Sequence, residues 1–156
     1  MIPIYDSPLK KYLDDFSSAE LASVFLLEGD EAVAVWREYI GDGKSFNHLS
    51  NESWVVGGSW VTIGDWMDGY PRPLNSQRVA ELVSTKSEWS DNEELFLIQN
   101  SKNIIKFTMK DFNKFWNDFL SIFGDGPVLI SRDRKSGVAF QFLPLGYVQC
   151  LKAPFL

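Results

Sequence analysis

The chain has almost none of the residues from which enzymes usually assemble reactive sites. It holds one cysteine, Cys150, and one histidine, His48. A single cysteine excludes a disulfide framework within the chain. One histidine and one distant cysteine, with no CxxC pair, cannot supply the four ligands of an ordinary zinc site. A nucleophilic pair of Cys150 and His48 would need a contact that nothing local sets up. Cys150 reads instead as a small apolar core residue in a strand, and His48, within FNHLSN, as an exposed loop residue. There is no GxGxxG and no GxSxG. The stretch Gly41 to Phe46, GDGKSF, follows a helical pattern rather than a strand, so it reads as a helix end and turn, not a phosphate loop. No apolar run approaches the roughly 20 residues of a membrane span. The opening MIPIYDSPLKKYLDD lacks the basic start and apolar core of a signal peptide. These absences predict a cytoplasmic protein with no metal and no cofactor.

What is present describes one folded body. The 156 residues suggest a single domain spanning 1–156. At 45% hydrophobic and 15% aromatic residues, the chain is too apolar to be disordered. The net charge is −6, unevenly spread. Residues 1–100 hold 7 Lys and Arg against 17 Asp and Glu, a balance of −10; residues 101–156 hold 8 against 4, a balance of +4. An acidic body repels phosphates, which argues against nucleic acid. It favours encounter with a basic protein. The bland alternative is that the charge serves solubility.

The N-terminal quarter reads as mostly helical. Ser7-Pro8 is a helix opening, and Leu9, Tyr12, Leu13 and Phe16 recur at helical spacing. Ser17 and Glu20 have the spacing of a capping box ahead of an apolar stripe of Leu21, Val24 and Phe25, which Leu27 can extend. Asp30 can cap EAVAVWREYIG, in which Val33, Trp36 and Ile40 share a face. Residues 41–75 are rich in turn formers and predict a long ordered loop, with short strands at most. Within it, Trp54, Trp60 and Trp66 are spaced by six, so a continuous strand would put all three on one face; Gly57-Gly58 argues against such continuity. SQRVAELVSTK predicts a short helix with Val79, Leu82 and Val83 inward. ELFLIQ and IIKFT predict a hairpin. Thr108 caps a helix whose Phe112, Phe115, Trp116, Phe119, Leu120 and Phe123 form one wide apolar face. PVLIS, VAFQF and YVQCLK predict a three-stranded meander. The sum is α+β: N-terminal helices, then an antiparallel β-hairpin, an aromatic-faced helix and a three-stranded antiparallel meander.

The run from Asp91 to Phe142 resembles the C-terminal half of a family of small bacterial proteins, domain of unknown function 2947. The shared features are a DN-opened strand, the FW..FL helix, a DGP-x-L-I turn into a strand, and a basic hairpin tip with Arg132, Arg134 and Lys135. AVAVWREYI, with Trp36, Arg37 and Glu38, is similar to the family's earlier W-R-E helix. The chain departs from the pattern between Gly41 and Ser76, and it carries Gln141 and Phe142 where the family's final hairpin bears a histidine. The resemblance implies fold and bacterial origin; no activity comes with it.

Three functional readings follow. The first is a non-enzymatic binding protein, in its sharpest form an immunity-type inhibitor of a cationic toxin. Its surface would use Trp54, Trp60, Asp65, Trp66, Asp68 and Tyr70, carboxylates for charge and aromatics for buried area. The same three tryptophans read equally well as core, as Trp36 and Trp116 do. The second is a regulatory module acting through Arg132, Arg134 and Lys135 on an acidic partner or RNA, against which stands the ordinary reading of such a tip as solvated edge protection. The third is a small enzyme with Asp65, Asp68 or His48 in a cleft, since glycosidases use two carboxyls across a sugar.

Overall fold

The computed structural model describes residues 1–67, 76–134 and 137–152, with residues 76 and 77 described by their backbone only. The chain is α+β and mostly sheet. Its strands are β1 (Ile2–Pro3), β2 (Phe25–Leu27), β3 (Val61–Asp65), β4 (Glu94–Asn100), β5 (Asn103–Thr108), β6 (Val128–Ser131), β7 (Val138–Phe142) and β8 (Tyr147–Lys152). They form one antiparallel sheet in the order β1-β2-β5-β4-β6-β7-β8-β3. The helices among the described residues are α1 (Gly29–Tyr39), α2 (Trp54–Gly57), α3 (Ser76–Ser87) and α4 (Met109–Ile122).

Sheet register sorts the core into two layers. Residues directly opposite across an antiparallel ladder share a face. Leu97, Ile105, Leu129, Phe140 and Cys150 lie on one face, under α4, α3 and the N-terminal turns. Phe96, Ile98, Ile104, Ile130 and Ala139 lie on the other, under α1 and the segment 46–60. Being covered on both sides explains why β4 reads Leu95-Phe96-Leu97-Ile98 without alternation; all four are buried.

The anchor of the first layer is α4. Thr108 accepts from the Asp111 amide and Asp111 returns a bond to the Thr108 amide, a capping box. Phe112, Phe115, Trp116, Phe119 and Leu120 are all buried along its inner stripe. Burying each is worth about 1.5–3 kcal/mol. Phe119 sits 4.6 Å from the Phe107 ring and 5.8 Å from that of Phe115.

The N-terminal quarter differs from the helical expectation. Ser7 caps only a 3-10 turn, Pro8–Tyr12. Ser17 and Glu20 do exchange capping-box bonds, at 3.1 and 3.2 Å, but no helix grows from them. Phe25–Leu27 is strand β2, paired with β5. Short helices are marginal on propensity alone, and a vacant edge beside β5 offers Phe25, Leu26 and Leu27 a full ladder. The pattern of three apolar residues is ambiguous between the two states. In α1 the buried stripe is Ala32, Trp36 and Tyr39, continued by Ile40; Val33 is only half-buried.

The tryptophan-rich loop resolves into α2, a turn and β3. A side chain at Gly58 would run into the Trp54 carbonyl oxygen and Leu151, so the double glycine lets this turn lie flat on the sheet. β3 then pairs with β8 and carries a bulge between Thr62 and Gly64, a device that blunts an edge strand.

Candidate functional site

Three of the sequence-predicted tryptophans divide between the two faces of the sheet. Trp54 and Trp60 are half-buried on the α1 side, with ring centroids 6.1 Å apart. Each is tied down through its indole N–H: Trp54 donates to the Tyr39 carbonyl at 2.8 Å and Trp60 to that of Val55 at 2.9 Å. Trp66 goes to the opposite layer, 6% exposed, with its indole N–H donating to the Leu143 carbonyl at 2.8 Å. The even spacing does not align them, because a helical turn and a bulge interrupt the strand. Asp65 is exposed, and its carboxylate accepts from the Met67 amide at 2.8 Å. Asp68 and Tyr70 lie outside the described residues, as does Lys135.

The sheet register adds residues that the sequence did not single out. Thr62 pairs with Gln149, Gln149 with Gln141, and Asp65 with Tyr147. The pleat therefore places Thr62, Asp65, Gln141, Tyr147 and Gln149 on the α1-side face. There they are exposed or half-buried. Tyr147 is 52% exposed. Trp54 and Trp60 stand at the border of this bare wing. No periodicity could reveal it, because it depends on which strand neighbours which.

Of the basic hairpin tip, Arg132 and Arg134 are both paired with carboxylates. Arg132 donates to Glu94 at 2.6 Å, and Arg134 donates to Glu38 at 2.5 Å while its guanidinium lies 4.3 Å over the Tyr39 ring. The Tyr39 hydroxyl in turn donates to the Arg132 carbonyl at 2.8 Å. The W-R-E helix and the RDR tip, almost a hundred residues apart, thus meet in space. Arg132 beside Glu94 holds that carboxyl below its usual value. With a depressed folded value, the pair's stabilisation is present at neutral pH and fades as pH falls through the carboxylate range. The Arg134–Glu38 pair is exposed on both sides. Glu38→Ala is expected to cost less than about 1 kcal/mol in denaturant unfolding, because such pairs are screened and entropically costly to hold.

Between α1 and the open end of the sheet runs a groove of about 200 Å³. Its helix wall is Glu31, Val35, Glu38 and Tyr39, one stripe of α1 at positions i, i+4, i+7 and i+8. Its floor is Leu27, Phe96 and Lys106, and Arg132 closes one end. The Lys106 side chain is 14% exposed.

The other sequence candidates stay apart. Cys150 is buried in the α4-side layer, and burial pushes its thiol up, away from thiolate chemistry. His48 is exposed, with Nδ1 2.8 Å from the Ser45 hydroxyl, in a loop whose Phe46 and Leu49 pack on the opposite face. The two cannot form a nucleophilic pair across the sheet. Among the described residues no group of three or more His, Cys, Asp or Glu could hold a metal ion, and no helix is long and apolar enough to cross a membrane.

Comparison with curated proteins found no match, and comparison with solved structures found none. The family model for proteins of unknown function DUF2947 matches residues 13–147. That span includes α1 with its W-R-E segment, the tryptophan-rich loop, the capped aromatic helix and the RDR tip. The match extends well beyond the C-terminal run that carries the sequence resemblance, and the chain belongs to the DUF2947 family.

Proposed function

We propose that this protein is a non-enzymatic binding protein of the bacterial cytoplasm, an immunity-type inhibitor that occupies a cationic toxin. The observation that carries the reading is the bare wing of β7, β8 and β3. It offers Asp65, Thr62, Tyr147 and the paired glutamines on one surface, with Trp54 and Trp60 at its edge. An exposed tyrosine and two half-buried tryptophans beside a carboxylate suit a partner that brings basic side chains, and anchored tryptophans lose little entropy on binding. The acidic first hundred residues would steer such a partner inward. Trp66 contributes by holding the end of β3 rather than by contact.

The test is capture of a partner by the tagged protein, followed by kinetics with purified components and co-expression with the captured protein. A basic partner released by salt and rendered harmless by co-expression fits the proposal. Asp65→Lys is expected to slow association by roughly tenfold and flatten its salt dependence. Tyr147→Ala is expected to speed dissociation. Unchanged kinetics in both variants would move the interface elsewhere. The reading of the hairpin tip as a receptor for acidic partners is less favoured, since Arg132 and Arg134 are engaged by Glu94 and Glu38. The enzyme reading gains no support from Asp65 and His48, each exposed and each closing a local turn.

A further inference from the structure

Lys106 lies in the middle of β5, opposite Phe25 on one side and Phe96 on the other. Its side chain is 14% exposed, yet its ammonium has little to hold. The nearest carboxylate is Glu94 at 3.7 Å, which is already bonded to Arg132 at 2.6 Å. Its other neighbour is the Phe25 ring, 5.6 Å away. An ammonium carries three donors, and a charge taken this far from water is costly unless it is closely paired. The groove against which Lys106 sits has an apolar strip through Leu27, Val35, Tyr39 and Phe96, with Glu31 and Glu38 beside it on the helix wall.

We propose that this groove is a binding site for a small carboxylate with an apolar body. The carboxylate is received by Lys106 and by the guanidinium N–H groups of Arg132 beyond the one bonded to Glu94, and the body lies along Val35, Leu27 and Phe96. The incoming group shares the two cations with Glu94, whose loose contact with Lys106 leaves donors to spare. The groove has a volume of about 200 Å³. That is below the range of drug-sized pockets and suits a molecule the size of a branched or aromatic short-chain acid. The rim carboxylates do not bar entry: Glu31 is paired with the chain's amino terminus at 2.9 Å and Glu38 with Arg134. They do leave room for a second contact, an amino group on the ligand, so an apolar amino acid is the zwitterionic form of the same chemistry. The site lies on a different part of the α1-side face from the bare wing and stands independently of the partner reading.

The test is titration of the full chain with 4-methylpentanoate, phenylacetate, leucine and phenylalanine. Heat and backbone amide shifts are followed together, with the neutral amides of the same acids as controls. Saturable binding at millimolar or lower concentration is expected, with shifts confined to α1, β5 and the Arg132 region. Tighter binding by the amino acids would identify the zwitterion, and tighter binding by the plain acids the carboxylate alone. Lys106→Met keeps the stem and removes the charge; it is expected to weaken binding at least about tenfold, the loss of a charge-assisted bond. Arg132→Gln gives a second reading should Lys106→Met fold poorly. The proposal is overturned if no acid or amino acid saturates, if the amides bind equally well, or if both variants bind as the parent does.

Discussion

Phe119→Ala is expected to destabilise the fold by about 3–5 kcal/mol, measured by chemical denaturation with unchanged slope. Phe119 is 0% exposed and lies at the centre of the aromatic layer, against Phe107 and Phe115. Truncation loses the transfer energy of the ring and leaves a cavity between α4 and β5. Both sides of that cavity are built from regular elements held by their own hydrogen bonds, so little collapse can fill it. A domain of this size has only about 5–15 kcal/mol of stability, so the variant would approach the threshold of folding. A loss under 1 kcal/mol would mean that the layer repacks freely and that α4 is not the anchor described above.

The second large effect is expected at Asp111. Its carboxylate accepts from the Thr108 amide and hydroxyl, both at 2.9 Å, and from the Ser23 hydroxyl at 2.7 Å, while the residue is 7% exposed. It therefore caps α4 and ties the helix start to the N-terminal turns, 88 residues away in sequence. Asp111→Ala should cost roughly 2–4 kcal/mol, a lost cap together with donors left unsatisfied. Ser23→Ala removes one bond of that set and should cost about 1 kcal/mol. Equal losses in the two variants would mean that the link to Ser23, rather than the cap, carries the energy.

These two positions also separate what is local in the chain from what is not. The capping box and the inner stripe of α4 are legible from Thr108 to Phe123, because both are set by spacings of three and four residues along one helix. The hairpin of β4 and β5 and the strands β6, β7 and β8 are legible for a similar reason: short apolar runs bounded by turn residues. The same logic misreads Phe25–Leu27. A stripe that suits a helix also suits a buried strand, and the vacant edge of β5 decides between them. The tryptophan spacing misleads in the same way, since Gly58 and the bulge after Thr62 reset the phase between Trp54 and Trp66.

The candidate surfaces were less visible than the fold. Asp65, Trp54 and Trp60 stand out in the sequence, but Thr62, Gln141, Tyr147 and Gln149 join them only through the pairing of β3 with β8 and of β8 with β7. Lys106 gives no sign of itself in IIKFT, which reads only as the second strand of a hairpin. Burial under α1 and next to β2 makes it a poorly paired ammonium. Arg132 and Arg134 read as a cationic tip until Glu94 and Glu38 are brought to them. By itself, the sequence determined the α+β class, the aromatic anchor with its cap, the family resemblance and the acidic character, because these depend on composition and on neighbours within one element. Tertiary structure alone decided which face each tryptophan joins, which charges are paired and where a groove opens, because burial and pairing are properties of residues far apart in the chain.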